Sequence, residues 1–197
     1  MGFMQSANGD GDFTVYCKFN AKEGRFFTKK DEPDAAEFEV ANMTAIFDME
    51  NLRTGWFVYA PGAAPIKKFD PSLGEALPKP GDGFKRGFEL NLFSEKNLLG
   101  LREFSSTAGS VIEAMNDLYD DWVANAPANA GKLPVVKCVG VTPITSKHGK
   151  NYRPQFEIVS WAARPAEMSG KAAAAPAAKA EQAKQSEPAT ADDSTEF

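Results

Sequence analysis

The chain has 197 residues, 43% of them hydrophobic, and a formal net charge of −5 at pH 7. That size suits one folded domain with an appended segment, and the acidic balance excludes a protein that coats nucleic acid by bulk charge, leaving a local basic groove for that purpose. Two widely separated cysteines and one histidine exclude a disulfide scaffold, and no apolar run approaches the length of a membrane span.

In chain order, residues 1–12 are small and polar and read as a loose leader without the charged and apolar regions of a signal peptide, so a soluble cytoplasmic protein is expected. Residues 14–19 alternate as a strand, with Val15, Cys17 and Phe19 on one face. Gly24 breaks towards a second short strand at 25–29, and residues 37–49 continue the alternation through Phe38, Val40 and Phe47. Trp56-Phe57-Val58-Tyr59 carry a strong β signal within residues 53–60. Five prolines (Pro61, Pro65, Pro71, Pro78 and Pro80), interspersed with glycines, make residues 61–83 a long connection. Residues 86–93 and 98–104 flank Ser94-Glu95-Lys96-Asn97 as a hairpin.

One strong helix follows. Ser106 or Thr107 is positioned to cap it, and Val111, Ile112, Met115, Leu118, Tyr119, Trp122 and Val123 recur at helical spacing. Residues 135–145 and 152–162 then form a closing hairpin with a basic tip. This order predicts a mostly β fold, an OB-fold-like small antiparallel barrel with one capping helix and an extra hairpin, over residues 13–168. A sandwich with a single helix is the alternative. Residues 169–197 contain no Leu, Ile, Val, Trp or Tyr, and their Ala/Pro/Gln/Lys stretch runs into Asp192-Asp193-Ser194-Thr195-Glu196-Phe197. Such a composition cannot bury enough apolar surface to offset ordering, so a disordered tail is expected.

Motifs for catalysis are missing. A lone His148 in a turn offers neither a triad nor a metal cluster. The glycines of 81–87 are misspaced for a dinucleotide fingerprint and lead into a strand. Asn8-Gly9-Asp10-Gly11-Asp12 lacks the distal Glu of a calcium loop. No cofactor, metal or enzymatic activity is expected.

Basic residues interleaved with aromatics occur four times. The early strands supply Tyr16, Lys18, Arg25, Phe27 and Lys29; the next strand and connection supply Trp56, Tyr59, Lys67, Lys68 and Phe69. Lys85, Arg86 and Phe88 follow, and the last hairpin supplies Lys147, Lys150, Tyr152 and Arg153. Single-stranded nucleic acid is held by this pairing, because cations track phosphates while flat rings accept unpaired bases. The competing role for each ring is core packing, since alternation sends about half of them inward.

With these features the chain resembles the single-stranded DNA-binding proteins of bacteriophages and bacteria. The likeness lies in the strand–helix–hairpin order, in Gly55-Trp56, Lys85-Arg86-Gly87-Phe88 and Arg102-Glu103-Phe104-Ser105, and most specifically in the acidic tip ending in Phe. The resemblance implies a non-catalytic protein that coats single strands during replication, recombination and repair. It implies that Asp192, Asp193, Glu196 and Phe197 dock on replication and recombination proteins. A homo-oligomer is allowed by the exposed strand edges. An adaptor that recruits a partner without binding DNA, and a small DNA-processing nuclease, are the alternatives.

Overall fold

The computed structural model describes residues 15–32, 34–60, 64–146 and 149–169. The chain is mostly β, as the alternation indicates. Its first hairpin joins β1 (Tyr16–Asn20) to β2 (Arg25–Lys29), with Cys17, Phe19, Phe26 and Thr28 turned inwards. Residues 37–49 split into β3 (Glu37–Glu39) and β4 (Thr44–Phe47) around a turn. Next come β5 (Arg53–Val58), β6 (Ile66–Phe69) and β7 (Lys85–Ser94), then the single-turn helix α1 (Glu95–Leu98) and β8 (Gly100–Ser106). Helix α2 (Gly109–Asn125) precedes the long hairpin β9 (Lys132–Ser146) and β10 (Gly149–Ala163), and α3 (Ala166–Ser169) follows.

All ten strands belong to one sheet in the order β10-β9-β4-β7-β8-β1-β2-β3, with β5 branching from β7 and β6 lying outside β5. The pairing is antiparallel except between β1 and β8. The sheet curls until its distant members meet. The Tyr152 amide in β10 donates to the Ala21 carbonyl in the β1–β2 turn at 2.7 Å, and Phe156 of β10 lies 6.2 Å from Phe26 of β2. Among the described residues no ladder joins β10 to β2 or β3, so the curled sheet is barrel-like with an open seam.

Phe104 centres the interior, with ring centroids 5.4 Å from Phe88, 6.1 Å from Phe26 and 6.4 Å from Phe47. Helix α2 covers the interior with Val111, Met115 and Leu118. Burial of such apolar surface is the main stabilising term, at roughly 25 cal/mol per Å².

Three local expectations need revision. The connection 61–83 contains a strand, β6, whose signal is masked by Lys67-Lys68 and by the flanking Pro65 and Asp70. Its close approach depends on Gly55, where an added Cβ would run into the Lys68 carbonyl and come within 2.9 Å of the Phe69 Cα. The N-cap of helix α2 is Ala108, one residue beyond the expected caps, and it makes no side-chain cap; the Ser106 hydroxyl accepts instead from the Ala108 amide. Val123, expected on the buried stripe, is 48% exposed because the last turn of α2 overruns the core, and Tyr119 and Trp122 are half-buried at its margin.

Candidate nucleic-acid interface

Directly paired residues share a face of a sheet, and alternate residues of a strand share it too. Register therefore places Tyr16, Lys18, Arg25, Phe27 and Lys29 on the outer face of β1 and β2. Tyr16 stands opposite Glu103 of β8, which stands opposite Asn91 of β7. Beyond them, Glu89 faces Arg53, Gly87 faces Gly55 and Lys85 faces Phe57; across β5–β6, Phe57 faces Lys67 and Gly55 faces Phe69. Three of the interleaved clusters thus contribute to one continuous outer surface.

Aromatic rings occur at both ends of that surface. Phe57 lies where Gly87 leaves room, since a Cβ at Gly87 would meet the Phe57 ring at 2.7 Å. Around Phe57 stand Phe69 at 5.6 Å and Tyr59 at 6.5 Å, both edge-on. Arg53 caps Phe69 at 3.9 Å, close enough for a cation–π contact. Tyr59 is 47% exposed, with its hydroxyl 2.9 Å from the Ser105 hydroxyl. At the other end, the Lys18 ammonium sits 5.8 Å from the Tyr16 ring and 5.9 Å from the Phe27 ring.

Carboxylates share this surface, a feature the count of cations alone misses. The alternation Glu37-Phe38-Glu39 carries their signal, because it puts both acids on one side. Glu37 takes Lys18 at 2.5 Å and the Tyr16 hydroxyl, while Glu39 takes Arg25 at 2.9 Å. Burial and the Glu37 hydrogen bond push the Tyr16 phenol up to about 12. Lys18 and Arg25 keep exposed side chains, and exposed ion pairs are worth only about 0–1 kcal/mol, so a phosphate can replace the carboxylate. Lys67 differs. Its ammonium bonds Glu89 at 2.5 Å and also Glu103, and Glu89 is almost fully buried. Burial works to lower the Lys67 pKa, but the hydrogen bonds it donates to Glu103 and Glu89 outweigh it and hold it above its ordinary value. Lys67 is a clamp of β6 on β7 and β8.

The remaining expected contacts divide. Trp56 and Lys68 lie on the opposite face of β5 and β6, with Arg86 beside them. Arg86 stacks over Trp56 at 5.3 Å, Lys68 over Phe84 at 5.6 Å, and the Trp56 indole donates to the Leu77 carbonyl at 2.7 Å. Phe88 corrects the expectation of base stacking: it is 3% exposed and packs on Phe104, because its side of β7 faces the interior. On the last hairpin, Lys150 is exposed above the Tyr152 ring at 5.0 Å, Tyr152 packs against the core, and Arg153 pairs with Asp117 of α2. Lys147 lies outside the described residues, as do His148 and Asp192, Asp193, Glu196 and Phe197.

Arg102, which was not among the expected contacts, is buried and reaches across β1 to the Thr28 hydroxyl and the Lys29 carbonyl. It fastens β8 to β2. Cys17 is free and buried, with its thiol pushed up to about 12 by burial, and Cys138 is free and half-buried. Among the described residues no group of three or more His, Cys, Asp or Glu could hold a metal ion, and no helix is long and apolar enough to cross a membrane. No protein-family model, curated protein or solved structure matches the chain.

Proposed function

We propose that this chain is a non-catalytic, sequence-tolerant single-stranded DNA-binding protein acting in replication, recombination or repair. The observation that carries the reading is the outer face of β1–β2 and β5–β8, where Tyr16, Phe27, Tyr59 and Phe69 lie within reach of Lys18, Arg25 and Arg53. Rings at both ends give bases flat surfaces to stack on, at about 1–3 kcal/mol per base, while exposed cations exchange carboxylates for phosphates. Oligonucleotide-binding β folds use a sheet face of this kind, which supports the reading. The acidic tip Asp192, Asp193, Glu196 and Phe197 then serves to recruit proteins of DNA metabolism from the cytoplasm of a bacterial or phage-infected cell. In a gel-shift experiment with Mg²⁺, a labelled single strand is expected to be retarded and recovered intact. An unshifted strand, or a cleaved one, overturns the reading.

A further inference from the structure

A cleft of about 500 Å³ opens at one end of the barrel, between the β1–β2 turn, the start of β7, the first turn of α2 and the last hairpin. Lys22, Lys85, Ser110, Glu113, Ile144 and Asn151 line it. Ser110 is committed, its hydroxyl donating to the Tyr152 carbonyl at 3.0 Å. Lys85 is not committed: it is exposed and has no carboxylate partner among the described residues, whereas Lys18, Arg25, Lys67, Arg86 and Arg153 all have one. Lys85 also stands opposite Phe57, so it belongs both to the cleft and to the outer face with Tyr59 and Phe69. On the far side, Asn151 lies between Lys150 and Tyr152.

We infer that this cleft seats a phosphodiester segment of the same single strand, one that leaves the outer face over Lys85 and continues towards Lys150. This rests on the reading of the outer face given above. An unneutralised ammonium at the junction supplies the attraction, and the Asn151 amide supplies a donor. Ile144 offers an apolar wall for a sugar. Glu113 opposes the strand. It marks the cleft as one where charge, not shape alone, governs affinity, and its removal should strengthen binding.

The test uses the full chain, an oligo-dT strand and a salt series, with the variants Lys85→Gln and Glu113→Gln. Both side chains are exposed, so unfolding midpoints should stay at the wild-type value. Loss of one phosphate contact should lower the slope of log affinity against log salt by about 0.7 in Lys85→Gln. Glu113→Gln should bind more tightly than wild type at low salt and equally at high salt. Wild-type binding with both variants unchanged overturns the cleft while leaving the outer face standing. Failure of the wild-type chain to bind overturns the outer face itself.

Discussion

The guanidinium of Arg86 closes on the carboxylate of Asp70 with two hydrogen bonds, at 2.9 and 2.6 Å. Asp70 is the first residue after β6, its side chain is buried, and it also accepts from the Thr54 hydroxyl at 2.6 Å and the Leu77 amide at 2.9 Å. One carboxylate therefore ties β5, β7 and the connection that follows β6. Arg86 contributes most to holding its pKa down at about 2, assisted by Thr54 and Leu77 and opposed by burial. Because the folded value lies below the unfolded one, the stabilisation is complete above about pH 4 and is lost as pH falls towards 2. Its size is about 2 kcal/mol. Asp70→Asn should lose that increment at pH 7 and show a flatter stability profile between pH 4 and 2 in urea titrations. A profile identical to wild type would contradict the assignment.

Gly55 controls the approach of β6. In Gly55→Ala the new methyl meets backbone atoms of Lys68 and Phe69, which cannot rotate away as a side-chain tip can. The variant should lose stability by roughly 1–3 kcal/mol, the usual range for overpacking. It should also expose amides of β6 to hydrogen exchange while the interior around Phe104 stays protected. Uniform exchange behaviour across both regions would show that β6 is not hinged on this glycine.

On the outer face, ring and cation should separate cleanly. Tyr59→Ala removes an exposed ring and is expected to weaken oligo-dT binding by about 1–3 kcal/mol, the value of one stacked base. Lys18→Gln removes a cation already shared with Glu37, so its effect should be smaller and confined to low salt. Anisotropy titrations at two salt concentrations decide it. An Lys18 effect exceeding that of Tyr59 at both would reverse this ranking.

Arg164 binds Asp48 through two hydrogen bonds of 2.8 Å and Glu50 through a third of 2.7 Å, fastening the segment after β10 to the body of the fold. Asp48 is almost fully buried. Arg164→Ala leaves that carboxylate unpaired and should cost about 3 kcal/mol, read as a lowered urea midpoint. Replacing both residues with apolar ones should recover much of the loss; no recovery would mean that Arg164 acts through packing instead.

The strands were legible where alternation was undisturbed. Cys17 and Phe19 against Tyr16 and Lys18, or Val111, Met115 and Leu118 along α2, declare their inward side directly. β6 was hidden because Lys67 and Lys68 look like loop residues, whereas pairing with β5 and the clamp of Lys67 by Glu89 and Glu103 hold it as a strand. The site was half legible. Interleaved rings and cations mark Tyr16, Lys18, Arg25, Phe27 and Lys29, which do share a face. Composition cannot tell that Phe88 turns inwards, that Trp56 lies on the reverse side, or that carboxylates distant in sequence pair with Lys18, Arg25, Lys67, Arg86 and Arg153. Those facts depend on register between distant strands.

The central claim is that this β-sheet face recognises unpaired bases, and it is tested most directly by fluorescence anisotropy. The full chain is titrated into labelled oligo-dT and into a duplex of equal length, across a salt series. The account predicts tight, salt-sensitive binding to the single strand and weak binding to the duplex, with a residual affinity for oligo-dT at high salt that stacking sustains. Equal affinity for both substrates, or none for either at low salt, would contradict it.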